Sequence, residues 1–294
     1  MAVRPTIIAS SVVDERRRLR DRLRNASTQV FIARPPRASR RELAAGLRII
    51  AALPRLLALW LASPRGAAPA ALDRSERFSA NALRCLAARA PDAARERLFD
   101  VLLVALHGGF GIVAPTIALP RFSASTYASV DMNLVAGLTG CGPAHVGACS
   151  AATRMLAGLA GKSASAIRES VGERVRAGGR IPGFGHPLLD RDPRPAALER
   201  HVERLGCGGE AFDAYRSVCG IVRDERGLHP NIDAIAASIL LDLGVAPAFA
   251  TPVFLFARMP TMLAHAMQKK AHPPFGQTRA VARHRLATLP KAWI

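Results

Sequence analysis

The chain has 294 residues, of which 50% are hydrophobic and only 5% are aromatic. This composition excludes a disordered chain and favours a large core of closely packed aliphatic helices over a β-sandwich. The formal net charge of +19 comes almost entirely from arginine. Aromatic side chains are not interleaved with these arginines as stacking on bases requires, so we expect no nucleic-acid partner.

The N-terminal part of the chain contains an apolar run that raises the question of a membrane. A basic helix is predicted over residues 14–24, and the apolar run follows over residues 43–63. Arg48, Pro54 and Arg55 interrupt this run, and a charge near the centre of a bilayer costs about 2.5–3.5 kcal/mol. We therefore predict two buried helices joined near Pro54 and no membrane partner.

Helix-start and helix-stop residues alternate along the second half of the chain, and strand patterns are nearly absent. Side chains that cap helix N-termini precede apolar residues at helical spacing, and glycines follow them. These features predict an all-α fold. The predicted helices run from Ser163 to Gly178, from Pro195 to Gly206, from Phe212 to Gly227, from Asn231 to Gly244, and onward from Pro260.

The five cysteines give no sign of a metal site or a disulfide framework. Their number is odd and none of them forms a C-x-x-C pair, so we expect free thiols, a reducing compartment and no bound metal. The first residues lack the pattern of a secretory signal, and we expect a cytoplasmic protein. The cysteines are Cys85, Cys141, Cys149, Cys207 and Cys219.

Several segments carry side chains suited to acid–base chemistry or carboxylate binding. Glycine-flanked loops let a bulky ligand approach the backbone, a histidine there can exchange a proton near neutral pH, and arginine can grip a carboxylate with two hydrogen bonds. The segments are His107-Gly108-Gly109, the loop 142–148 around His145, Gly183-Phe184-Gly185-His186-Pro187 followed by Asp192-Pro193-Arg194, Pro230-Asn231-Ile232-Asp233, and the apolar run ending in Arg258.

Each of these side chains also has a purely structural interpretation. A histidine beside glycines can cap a helix or fill a loop. Asp233 can satisfy free N–H groups in the first turn of its helix. Arg258 can be a surface cation whose stem packs on the apolar run. The interpretation as a site depends on several segments meeting in one place.

Taken in chain order, these segments resemble the citrate synthase family from about residue 100 to about residue 270. The resemblance implies that His145 hydrogen-bonds the thioester carbonyl and stabilises the enol. It implies that His186 protonates the ketone of the acceptor and that Asp233 removes a proton from the acetyl methyl group. Positioned donors and a partly desolvated base are what such a weakly acidic carbon requires.

The resemblance also implies binding roles. Arg194 and Arg258 would hold the carboxylates of a keto acid, and His107 would lie beside them. The glycine loop would bind the coenzyme A thioester, which is a substrate, so no permanently bound cofactor is expected. The loop residues assigned to this role are Gly183, Phe184 and Gly185.

The chain departs from the family pattern at four points. Val146 stands where many members have a second glycine, and Phe110 stands where a second substrate histidine is usual. The interval from His186 to Arg194 is one residue shorter. The C-terminal arm that carries a partner-subunit arginine has no clear counterpart, although three arginines are candidates: Arg279, Arg283 and Arg285.

The implied architecture is a two-domain helical homodimer. A large domain would comprise residues 1–150 and 250–294, and a smaller helical domain would be inserted at 151–249. The implied activity is condensation of acetyl-CoA with oxaloacetate to give citrate and coenzyme A. Two alternatives stay open, namely cleavage of citryl-CoA and a non-catalytic homologue with a binding role.

Overall fold

The computed structural model describes residues 39–62, 70–87, 91–107, 114–142, 145–186, 189–272 and 274. Within these ranges the chain is all-α and contains no strand, which confirms the predicted fold class. The predicted basic helix over residues 14–24 lies outside them. In chain order the α-helices are α1 (Arg40–Ala62), α2 (Phe78–Leu86), α3 (Ala93–His107), α4 (Pro115–Ala124), α5 (Val130–Thr139), α6 (Gly147–Ala157), α7 (Ala164–Arg176), α8 (Pro193–Leu205), α9 (Glu210–Arg226), α10 (Ile232–Asp242) and α11 (Ala250–Lys270).

Helix ends in the second half of the chain lie where local sequence predicts them. Ser163 caps α7, because its Oγ accepts a hydrogen bond of 3.3 Å from the N–H of Ala166. Gly206 and Gly227 follow α8 and α9 with left-handed φ angles of 61° and 64°. Glycine adopts this conformation without a Cβ clash, so it ends both helices and lets the chain turn.

The predicted helix breaks at two prolines were wrong. Pro54 lies inside α1 and Pro260 lies inside α11. A proline within a helix removes one backbone N–H and crowds the preceding turn, at a cost of about 3 kcal/mol. Both helices pack along their length, α1 against α2, α5 and α11, and α11 also against α3 and α4. Burial of these long faces outweighs the local penalty.

One large apolar core extends through most of the described helices. Helix α10 lies at its centre, because it packs against α3, α6, α8 and α9 and is buried at every position from Ala234 to Leu240. A smaller apolar cluster joins α1, α4, α5 and α11. Helix α11 contributes to both, with Ala257 in the large core and Met259 in the small cluster. Arg258 therefore lies where the two apolar regions meet.

Helix α1 is the one helix among the described residues that is long and apolar enough to cross a membrane. Only 28% of its most apolar stretch is buried. Ile50 and Leu57 nevertheless pack into the protein, and a single helix of this length and composition is weak evidence for a membrane span. The absence of a membrane partner stays a prediction, as does the division into domains at residues 150 and 250.

Candidate active site

Two loops that are distant in the sequence pair with each other at the candidate site. The N–H of Gly185 donates to the carbonyl of His229 (2.9 Å), and the N–H of Asn231 donates to the carbonyl of Gly183 (2.8 Å). Because of these two bonds, the glycine loop runs beside the first turn of α10. The candidate proton donor and the candidate base are thereby carried by neighbouring segments.

Gly183 is required at its position for two reasons. Its φ angle is +83°, and a Cβ atom added there would lie 2.7 Å from the backbone nitrogen and from the Cβ of Ala234. The close approach that this glycine permits is therefore an approach to α10. The predicted contacts of Gly183, Phe184 and Gly185 with coenzyme A stay predictions.

Asn231 fixes the first turn of α10 and ties it to the glycine loop. Its Oδ1 accepts from the N–H of Asp233 (2.9 Å), and its Nδ2 donates to the carbonyl of Gly185 (2.7 Å). An asparagine at this position supplies a helix cap and a tertiary bond at once. The Asp233 side chain consequently projects from a first turn that is held at both sides.

The surroundings of Asp233 make it a stronger base. Burial raises the pKa of Asp233 to about 6, and the charge of Asp192 adds to the rise. Arg194 and Arg258 act in the opposite sense and keep the carboxyl ionised at neutral pH. A carboxylate with a pKa near the working pH is suited to accept a proton from carbon.

Arg194 is held by the carboxylate of Asp192, to which the sequence analysis assigned no role. Asp192 caps α8 by accepting from the backbone N–H of Arg194 (3.0 Å), and it also accepts from that side chain's Nε and Nη2, both at 2.8 Å. The N–H of Ile232, in the first turn of α10, donates to the same carboxylate (2.9 Å). Burial would raise the pKa of Asp192, but these hydrogen bonds and the Arg194 charge hold it below its usual value.

His186 is arranged as a donor through Nε2. Its Nδ1 accepts a hydrogen bond from the N–H of Leu189 (3.0 Å), so the neutral ring carries its proton on Nε2. Burial lowers the pKa of His186, while Asp192 raises it and Arg194 lowers it further. A neutral imidazole with this tautomer is able to donate its Nε2 proton to an oxygen.

His145 lies in the turn that leads into α6 and contacts a buried threonine. Its Nε2 is 3.4 Å from the Oγ1 of Thr116, which lies in the first turn of α4 and is 1% exposed. Burial and the charge of Arg258 lower the pKa of His145, so the ring is neutral at pH 7. A hydroxyl that donates to Nε2 leaves the ring proton on Nδ1, which is then the donor available to a carbonyl.

His107 ends α3 and is tied to α11 through its backbone. The hydroxyl of Thr261 donates to the His107 carbonyl (3.0 Å), one of the acceptors that a helix end leaves unpaired. Thr261 lies one turn after Arg258 on the same helix. Burial and the Arg258 charge lower the pKa of His107, so this ring is also neutral at pH 7.

Arg258 is a buried cation with unused hydrogen-bond donors. It is 5% exposed, and within the described part of the chain its Nε and Nη1 have no hydrogen-bond partner. Its Cζ lies 6.0 Å from the ring centroid of Phe254. Burial and Arg194 lower the pKa of Arg258, whereas Cys141 and Asp233 raise it. The interpretation as a surface cation is therefore wrong, and a buried guanidinium with unused donors calls for an anion.

The candidate groups lie in one electrostatic cluster. Arg258 is close enough to shift the pKa values of groups on three other segments, and Arg194 acts on both Asp233 and His186. The groups within reach of Arg258 are His107, Cys141, His145, Arg194 and Asp233. The structure thus brings all six predicted catalytic and substrate-binding side chains to one region, while their individual roles stay predictions.

The departures from the family pattern, the metal ligands and the cysteines were also considered in the sequence, and the structure describes some of them. Val146, which replaces a family glycine, is 3% exposed and packs into the large core. Phe110 and the candidate arginines of the C-terminal arm lie outside the described residues. Within the described ranges, no three His, Cys, Asp or Glu side chains are grouped as a metal ion requires. The five cysteines are free.

The sequence of the chain matches the model of a known family. A family model described as the citrate synthase C-terminal domain matches residues 11–279. The chain belongs to the citrate synthase family. It is 30% identical over 231 residues to the citrate synthase of Haloferax volcanii, covering 76% of this chain and 59% of that protein. The present chain therefore spans less than two thirds of that relative's length.

Solved structures of citrate synthase family proteins have the same fold. Citryl-CoA lyase from Hydrogenobacter thermophilus superposes with a TM-score of 0.64 at 25% identity, covering 69% of this chain and 80% of that one. Citrate synthase from Thermotoga maritima superposes with a TM-score of 0.67 at 20% identity, covering 78% and 64%. The arrangement of helices in this chain is therefore that of the family.

Proposed function

We propose that this citrate synthase family member joins acetyl-CoA to oxaloacetate and releases citrate and coenzyme A. The observation that carries the proposal is the buried guanidinium of Arg258 with two unused donor atoms, beside His107, His145 and Asp233. A dicarboxylate acceptor would supply the missing negative charge. Two arginines in one region fit an acceptor with two carboxylates.

The chemistry follows from the protonation states. Asp233 takes a proton from the methyl carbon of the thioester while His145 donates a hydrogen bond to the thioester oxygen, which gives an enolate. The enolate carbon attacks the ketone carbon, and His186 Nε2–H gives its proton to the ketone oxygen. Proton exchange with water then restores the neutral His186 and the ionised Asp233. Water then cleaves the thioester of the citryl-CoA so formed, giving citrate and free coenzyme A.

Cleavage of citryl-CoA to acetyl-CoA and oxaloacetate is the second candidate function. The same three groups would act in reverse, with His186 accepting the hydroxyl proton and Asp233 returning a proton to carbon. The similarity to the Hydrogenobacter lyase, of which this chain covers 80%, favours including it.

We also propose a cytoplasmic homodimer. Large apolar side chains on the adjacent helices α4 and α5 are about half exposed, which is typical of a surface that another protein covers. The five free cysteines fit a reducing compartment. The exposed side chains are Phe122, Met132, Val135 and Leu138.

The test is a paired assay on the purified chain. Thiol release from acetyl-CoA on addition of oxaloacetate is measured beside oxaloacetate release from citryl-CoA, with Arg258→Gln as the negative control. Activity in the first assay supports the synthase, and activity only in the second supports the lyase. Activity in neither, with no other keto acid restoring it, would leave a non-catalytic homologue.

A further inference from the structure

Asp192 occupies a point where three parts of the candidate site meet. Its side chain is buried, and it accepts hydrogen bonds from the start of α8, from the Arg194 guanidinium and from the start of α10. Capping α8 requires only one of these bonds. The other bonds connect Arg194, a candidate for carboxylate binding, to α10, which carries the candidate base Asp233.

These hydrogen bonds leave little freedom of movement to the Arg194 guanidinium or to the first turn of α10. The guanidinium of Arg194 is held edge-on by Nε and Nη2, which fixes its plane as well as its position. Ile232 directly precedes Asp233, so the bond from its N–H to Asp192 sets the distance between that guanidinium and the carboxyl of Asp233. Removing the carboxylate of Asp192 would therefore release both the Arg194 guanidinium and the first turn of α10.

We propose that Asp192 is a positioning residue that holds Arg194 and the first turn of α10 in register for the reaction. The proposal rests on the proposed function, since it concerns how the keto acid and the base are aligned. Asp192 acts through Arg194 and through the backbone next to Asp233.

Asp192→Asn separates this role from helix capping. Asparagine is a good helix cap and can still accept from the N–H of Arg194 through its one oxygen. Its amide nitrogen replaces the oxygen that accepts from Ile232 N–H and Arg194 Nη2, so donors then face donors. The cap and the bond from Arg194 Nε to the same oxygen are kept, while the bond from Nη2 and the connection to α10 are lost.

The chain offers a matched control at the other end of α10. Asp242 is also a partly buried carboxylate that joins two helices, and it accepts from the N–H groups of Gly209, Ala211 and Phe212 at 2.9–3.0 Å. Among the described residues, the hydrogen bonds of its side chain all go to the start of α9, at the end of α10 opposite to Asp233. Asp242→Asn therefore reports what the loss of a helix-joining carboxylate does to stability alone.

The experiment is a double-mutant cycle with Arg194→Gln, read as kcat and the keto-acid KM in whichever direction the wild type is active. We expect Arg194→Gln to raise KM about tenfold, the value of a charge-assisted hydrogen bond, and Asp192→Asn to raise it by a similar factor while also lowering kcat. In the Asp192→Asn background, Arg194→Gln should add less than about twofold to KM, because the plane of the guanidinium is no longer fixed by a second bond. Asp242→Asn should leave both constants within about twofold of the wild type and combine additively with Arg194→Gln.

Three results would overturn the inference while leaving the proposed function intact. One is an active enzyme in which Asp192→Asn and Asp242→Asn behave alike. Another is full additivity between Asp192→Asn and Arg194→Gln. The third is that Asp192→Asn and Asp192→Ser, which both keep a helix cap, fail to fold. An inactive wild type would instead count against the proposed function.

Discussion

Asp233 is held in surroundings that oppose its own charge. Its pKa is raised from 3.8 to about 6, so the folded chain favours the protonated carboxyl. The stabilisation that protonation gives is full below pH 3.8 and is lost as the pH rises through 6. Above that pH the ionised carboxylate costs stability, and the proposed role of Asp233 as a base requires this ionised form.

Asp233→Asn is therefore expected to separate activity from stability. It should lower kcat by about 10²–10⁴-fold, since the base is gone. At pH 8 it should raise the free energy of unfolding by roughly 1–3 kcal/mol, with the gain vanishing towards pH 4. Urea unfolding at both pH values, with exposed Asp213→Asn as control, measures this. Loss of stability at pH 8 would contradict the raised pKa.

At this scale the sequence indicates residue types but not their contacts. His145, His186 and Asp233 stand out because of their loops, whereas no role was predicted for Asp192. The bond from Ile232 to Asp192 joins positions forty residues apart in the chain. Thr116 meets His145 only through the packing of α4 on the turn before α6. Such contacts depend on the complete fold and leave no local pattern.

At the scale of elements, the register between the glycine loop and α10 decides where the candidate base lies. Gly183→Ala should lower the free energy of unfolding by clearly more than the roughly 1 kcal/mol that a positive φ alone costs alanine, because its Cβ would meet the backbone of Ala234. Gly178→Ala is the control, since Gly178 has a φ of +80° and open space around it. We expect only Gly183→Ala to lower kcat. Equal losses in both variants would contradict a tight register.

Helix ends and helix interiors differ in how well the sequence predicts them. Ser163, Gly206 and Gly227 act through bonds within a few residues, so local chemistry decides those ends. Pro54 and Pro260 act against long helices that several neighbours bury, and the energy of that packing is not visible in a short segment. Helix α8 starts at Pro193, after the cap provided by Asp192, which places Pro195 in the first turn as predicted.

At the scale of the whole molecule, the exposed apolar surface of α4 and α5 predicts self-association. Val135→Arg places a charge in the middle of this surface, and we expect it to convert a dimer into a monomer in light scattering after size exclusion. Val104→Arg is the control, because Val104 is 66% exposed on α3, outside this surface. A monomeric wild type, or a Val135→Arg protein that stays dimeric, would exclude this surface as the interface.

Because the guanidinium of Arg258 is buried with unused donors, the melting temperature of the protein should rise when a matching anion binds to it. An anion that neutralises it stabilises the folded state according to its concentration and affinity, by about 2.7 kcal/mol at one hundred times the dissociation constant. Small dicarboxylates and keto acids can thus be ranked by the rise in melting temperature that each produces, before any turnover is seen. Citrate or sulfate in a storage buffer would compete for the same charge, so such buffers would hide the effect.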